Sequence, residues 1–177
     1  MAKKASHYIH LYYGDGKGKT TTALGVALRA LGYNKKVIML QWLKGRQEIG
    51  EFQVQKLLRG KYKVYQFGPT YFTWEKLKPT EHKQLAIKGL KKLAQVIAKD
   101  KYDILILDEI VDAVNKKFIP QNKTISLIKK AVAKGEVIIT GHNPTKIWFS
   151  LADLVTEMKK IKHYFDKGIN ARPGIEY

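Results

Sequence analysis

The 177-residue sequence contains no cysteine, which excludes disulfides, cysteine-bound zinc, iron–sulfur clusters and a thiol nucleophile. No apolar run approaches the roughly 18 residues that a membrane-spanning helix needs. Residues 1–6 lack the apolar core of a secretion signal, so a cytoplasmic protein without membrane attachment is expected. Arginine is scarce, with only Arg29, Arg46, Arg59 and Arg172, and acids are few. The 15 acidic residues face 33 basic ones for a net charge of +18, a field that attracts polyanions, nucleotides and nucleic acids among them. Arginine is the usual reader of base edges. The lysine pairs at 35–36, 91–92, 116–117, 129–130 and 159–160 are scattered along the chain and read as solvated faces. Nucleic acid is therefore not the expected partner.

What the sequence does have is the composition of a globular protein, with 45% hydrophobic and 27% charged residues. One domain over residues 1–177 is expected. Apolar runs alternate with helical patterns, the signature of βαβ units and a mostly parallel sheet. Strands are predicted over 7–13, 36–42, 63–67, 103–107, 136–140 and 154–161. Helices are predicted over 19–31, 80–99, 110–115 and 124–134, with weaker or shorter ones over 48–58 and 148–152. The tail from Lys162 to Tyr177 reads as irregular, with turns marked by Gly168 and by Pro173-Gly174.

The strongest local feature is Gly14-Asp15-Gly16-Lys17-Gly18-Lys19-Thr20-Thr21, between the first strand and the first helix. Its glycines let backbone amides turn inward as a nest for phosphate oxygens, and the helix start adds amides and a positive dipole end. Lys19 supplies a point charge, and the Thr20 hydroxyl can ligate magnesium. The loop is one residue short, because Tyr13 stands where the common phosphate loop has its first glycine. That speaks against a plain kinase or ATPase. The apolar run 104–107 ends in Asp108-Glu109, acids placed to hold magnesium beside the loop. A bland reading, in which they only favour the start of the next helix, also exists.

Three aromatic residues, Tyr71, Phe72 and Trp74, crowd the segment after Gly68-Pro69. They read either as packing under a lid or as a platform for a large flat ligand. Gln41 and Lys44 fall at the carboxyl end of the second strand, the edge at which open α/β sheets bind ligands. The five histidines show no metal-ligand spacing.

Taken in order, several stretches resemble the ATP:corrinoid adenosyltransferases of the CobA/BtuR/CobO type. They are 14–21, Ala27 to Gly32, Gln41-Trp42-Leu43-Lys44-Gly45, Phe72-Thr73-Trp74-Glu75, Leu107-Asp108-Glu109, Thr140-Gly141, Leu151-Ala152-Asp153 and the ending from Lys162-His163 through Gly174-Ile175-Glu176-Tyr177. The resemblance implies a RecA-like P-loop fold, a homodimer, and transfer of the 5′-deoxyadenosyl group of ATP to a reduced corrinoid, with triphosphate released. Carried onto these positions, Gly14 through Thr21 would bind ATP, Lys19 and Glu109 would act in catalysis, and Thr20, Glu109 and Asp108 would hold Mg2+. Phe72 and Trp74 would wall the corrinoid, and a flavoprotein reductant is a conceivable partner for the basic surface. The alternative is a RecA-like ATPase working on nucleic acid, with Glu109 orienting a water.

Three departures from the family pattern stand out. The segment ahead of the first strand is short. Asp15 replaces the usual Asn, which is expected to weaken ATP binding slightly unless Lys17 compensates. The residues after Gly141, His142 to Lys146, lack an Arg often found there.

Overall fold

A computed structural model describes residues 7–58, 60–70 and 78–177. Among the described residues, six strands form one sheet: β1 (Ile9–Tyr13), β2 (Val37–Trp42), β3 (Tyr62–Phe67), β4 (Ile104–Asp108), β5 (Glu136–Gly141) and β6 (Leu154–Glu157). Their spatial order is β3-β2-β4-β5-β1-β6, and every pairing is parallel. Six α-helices accompany them among the described residues: α1 (Lys19–Gly32), α2 (Gly50–Gln53), α3 (Pro79–Lys99), α4 (Ile110–Asn115), α5 (Gln121–Val132) and α6 (Lys146–Leu151).

Side chains alternate across a strand, so the sheet feeds two apolar layers. On one face Ile9, Leu11, Ile38, Leu40, Leu105, Leu107, Val137 and Ile139 pack with residues of α3, α4, α5 and α6. On the other, Tyr12, Val37, Met39, Ile104, Ile106 and Ile138 pack with Ala23 and Ala27 of α1. Small residues on α1 let it lie close to the sheet. The central strands β2 and β4 are buried throughout, which is why they read as unbroken apolar runs.

The expected elements are present, with informative shifts at their ends. Helix α3 begins at Pro79, whose missing N–H costs nothing in a first turn, and Glu81 reaches back to the Lys78 amide at 2.8 Å. Helix α5 begins three residues earlier than expected because the Pro120 carbonyl accepts both the amide (3.1 Å) and the hydroxyl (2.9 Å) of Thr124. The weak helix expected over 48–58 is one α-turn followed by a 3-10 turn, Val54–Lys56. The last strand stops at Glu157 instead of continuing to 161. Its partner β1 runs out at Tyr13, opposite Glu157. Met158 then bonds the Tyr13 carbonyl and turns its own carbonyl to the Gly16 amide, both at 2.6 Å. The tail contains a 3-10 turn at Tyr164–Lys167. Among the described residues, no helix is long and apolar enough to cross a membrane.

Candidate functional site

Among the described residues, the chemistry-bearing segments converge on the carboxyl edge of the sheet. Strand β1 delivers the glycine loop, and residues 158–160 brace it from below. A Cβ at Gly14 would lie 2.5 Å from the Met158 carbonyl oxygen, and one at Gly16 would lie 2.6 Å from it. Gly14 and Gly18 also take φ of 117° and 124°, which side-chain-bearing residues rarely adopt. Asp15 accepts the Lys160 amide at 3.0 Å, a bond that holds its carboxyl below the usual range. No side chain caps α1, and its first turn lines a cavity of about 500 Å³ together with loop residues 15–18, Lys44, Glu51, Glu109, His142 and residues 174–177.

Two lysines of the loop have different partners. Lys19 donates to the carbonyls of Gly14 (2.7 Å) and Gly16 (2.9 Å), and burial pulls its pKa down. Lys17 turns to the tail, donating to the Tyr164 hydroxyl and to Glu176 Oε1, each at 2.7 Å. It therefore does not compensate Asp15. Tyr164 also donates to Glu176. The Arg172 amide reaches Glu176 Oε2 at 2.8 Å, and its guanidinium stands 5.0 Å from the Tyr164 ring centre.

At the end of β4, Asp108 is fully buried. Its Oδ1 accepts the hydroxyls of Thr20 (2.9 Å) and Thr140 (2.7 Å). Its Oδ2 accepts Lys44 Nζ (2.8 Å) and Gln41 Nε2 (3.2 Å). Burial alone would raise its pKa, but the Lys44 charge and these bonds win, and the group stays ionised below the usual carboxylate range. Lys44 shows the reverse balance: desolvation lowers it, while Asp108 and Glu109 raise it further, above the ordinary lysine value. Glu109 takes the left-handed conformation at φ 59°, a strained choice of the kind that clusters at functional sites. The Thr140 hydroxyl holds that turn by accepting the Glu109 amide at 2.9 Å. Burial, aided by Asp108 and Asp112, pushes Glu109 up against the pull of Lys44.

A second cavity of about 230 Å³ adjoins the first, lined by Leu43 to Arg46, Ile49, Pro69 and Tyr177, and it shares Lys44, Glu51, Glu109, Glu176 and Tyr177 with it. Here two loops touch backbone to backbone: a Cβ at Gly45 would lie 2.1 Å from the Gly68 carbonyl oxygen.

The structure thus brings residues 15–21 and Glu109 onto one cavity, with Asp108 directly behind Thr20. Phe72 and Trp74 lie outside the described residues. Sequence reasoning placed Lys44 only at the sheet edge and missed that it joins the acids. It gave no part to Asp112, whose carboxylate accepts the His142 amide at 3.1 Å, or to the grip of Tyr164 and Glu176 on Lys17, with Arg172 bonded in turn to Glu176. Thr140 carried a usable signal, a hydroxyl at the carboxyl end of a strand neighbouring β4.

The order of strands is diagnostic, since β5 separates the loop-bearing β1 from the acid-bearing β4. Residues 5–177 match the profile of the family described as ATP:corrinoid adenosyltransferase BtuR/CobO/CobP. The chain belongs to this family. It is 33% identical to the corrinoid adenosyltransferase of Escherichia coli over 173 residues, covering 96% of this chain and 85% of that one. To the corrinoid adenosyltransferase CobA of Salmonella typhimurium it is 33% identical over 177 residues, covering 100% and 89%. Flagellar accessory protein FlaH from Methanocaldococcus jannaschii superposes with a TM-score of 0.58 at 14% identity, over 85% of this chain and 70% of that one. That likeness concerns fold alone, and the fold is the RecA-like P-loop α/β architecture. The corrinoid adenosyltransferase profile, spanning nearly the whole chain, does not favour the nucleic-acid ATPase alternative.

Proposed function

We propose that this chain, as a single domain, transfers the 5′-deoxyadenosyl group of ATP to the reduced cobalt of a corrinoid and releases inorganic triphosphate. The observation that carries the reading is the adjacency of two cavities. One is walled by the shortened phosphate loop, the other opens beside Pro69, and Lys44 and Glu109 stand on the boundary. Cobalt(I) is a strong nucleophile, so the protein supplies position and not a nucleophile. The cobalt electron pair forms the Co–C5′ bond, the C5′–O bond breaks, and triphosphate leaves with that bond's electrons.

In this reading the loop amides, Lys19 and the first turn of α1 receive the triphosphate, whose growing charge they stabilise. Thr20, Asp108 and Glu109 suit magnesium, being a hydroxyl and two carboxylates, all hard oxygen donors, and a side-chain cation already sits against all three. The chemistry that magnesium supplies when bound there is charge neutralisation on the departing phosphates. Phe72 and Trp74 are assigned to the lower face of the corrinoid, where an apolar wall favours four-coordinate cobalt and eases its reduction. A cytoplasmic homodimer completes the proposal, and the net charge of +18 suits docking of an acidic flavoprotein reductant.

The decisive test mixes the protein with ATP, magnesium, a corrinoid and a strong reductant. An adenosylcobalamin spectrum with triphosphate as co-product is expected; ADP and phosphate alone would overturn the assignment. Trp74→Ala should slow reactions that start from cobalt(II) more than those that start from pre-reduced cobalt(I). Equal losses would reduce Trp74 to a packing role.

A further inference from the structure

Lys44 occupies the point on which three oxygens converge. Its Nζ lies 2.8 Å from Asp108 Oδ2, 3.2 Å from Thr20 Oγ1 and 3.5 Å from Glu109 Oε1. These are the oxygens assigned above to magnesium. We propose that the Lys44 ammonium is a resident cation that keeps the metal site assembled while it is empty and that magnesium displaces on entry. The proposal rests on the assignment of magnesium to Thr20, Asp108 and Glu109.

The physical argument has three parts. First, Asp108 is fully buried, and a buried carboxylate without a counter-charge is costly. With Lys44 in place, the two hydroxyls and the Gln41 amide remain gathered round it in binding geometry. Second, a divalent ion bonds its oxygens at about 2.1 Å. Bound to the same atoms, it would crowd a second cation within a few ångströms of itself, and the two charges repel. Third, Lys44 has somewhere to go. It stands on the wall common to both cavities, and its four-carbon stem is flexible. The backbone beneath it is fixed by the contact of Gly45 with Gly68 and by the left-handed turn at Leu43, φ 63°. The exchange therefore moves a side chain and leaves the sheet edge in place.

The consequence is an order of binding. Metal alone must expel a cation and binds weakly, whereas metal carried by a nucleotide arrives with phosphate charge that offsets the loss.

Manganese(II) can be titrated into the nucleotide-free protein and its free form followed by electron paramagnetic resonance. Lys44→Met should bind it about tenfold tighter or more than wild type, as expected when a unit charge is removed beside a divalent ion in a partly buried site. Lys44→Gln, which retains a hydrogen-bond donor, should tighten binding in the same direction, and it serves as a second variant if Met impairs folding. Magnesium should raise the melting temperature of either variant more than that of wild type. Should Asp108→Asn abolish manganese binding while both Lys44 variants bind no tighter than wild type, the exchange is overturned and the metal assignment stands. If Asp108→Asn binds as wild type does, the metal assignment fails and the exchange fails with it.

Discussion

Two charged networks flank the cavity beside the glycine loop, and they are built from opposite materials. Around Asp108, the partners Gln41, Lys44 and Thr140 stand at or just beyond strand ends of the buried sheet, and Thr20 stands in the first turn of α1. Around Glu176, the partners Lys17, Tyr164 and Arg172 come from the glycine loop and the surface tail. Each network anchors a lysine that lines the cavity. In the first, low dielectric and fixed geometry make every bond count and every loss expensive. In the second, Glu176 is held ionised far below its usual range by Arg172, Lys17 and Tyr164, yet solvent and salt reach the group and weaken its leverage. One cavity is thus walled on one side by a network fixed in the sheet and on the other by a network that depends on the tail.

Substitutions can break or sharpen that contrast. The largest effect on stability should come from Asp108→Ala, which takes from Lys44 its nearest counter-charge and from Thr20, Gln41 and Thr140 a buried acceptor. A loss of about 3–5 kcal/mol is expected from breaking such a buried pair, read by denaturant unfolding, with Asp108→Asn less severe. Lys19→Ala should lower adenosyl transfer by about 10²–10³-fold, the scale for losing one donor to a developing charge, with little change in folding. Near-normal turnover would show that the loop is not the site. Gly16→Ala forces a Cβ to within 2.6 Å of the Met158 carbonyl. It should cost about 1–3 kcal/mol as strain at a site that cannot relax and loosen the bond between loop and β6 segment, visible as faster exchange of the amide at position 16 than in wild type. The smallest effect belongs to Glu176→Gln. Unfolding should barely shift, while the KM for ATP rises modestly, and the difference from wild type should fade as salt is added. A Glu176→Gln loss as large as that of Asp108→Asn would erase the distinction between the two networks.

Much of this was legible in the sequence because the governing signals are local. A glycine loop between an apolar strand and a helix defines itself within residues 7–31, and an apolar run ending in Asp108-Glu109 needs no distant information. Boundaries failed where a partner elsewhere intervened. The last strand was read too long because its residues beyond Glu157 keep an extended, apolar-containing pattern, yet no strand remains beside them once β1 has turned into the loop. Lys44 looked like an edge lysine because its partner lies 64 residues away, and the tie of Lys17 to the tail was hidden because Glu176 lies 159 residues away.

The sequence by itself determined the alternation of strands and helices, the place of the phosphate loop and the membership of the family, since hydrophobic period and turn chemistry act between near neighbours. Only the tertiary structure decided which cation meets which acid: that Lys44 and not Lys19 neutralises Asp108, that Lys17 belongs to the tail, and that Met158 props the loop. Those pairings depend on strand order and on the close approach of backbones, and a parallel sheet joins strand ends that the chain keeps far apart.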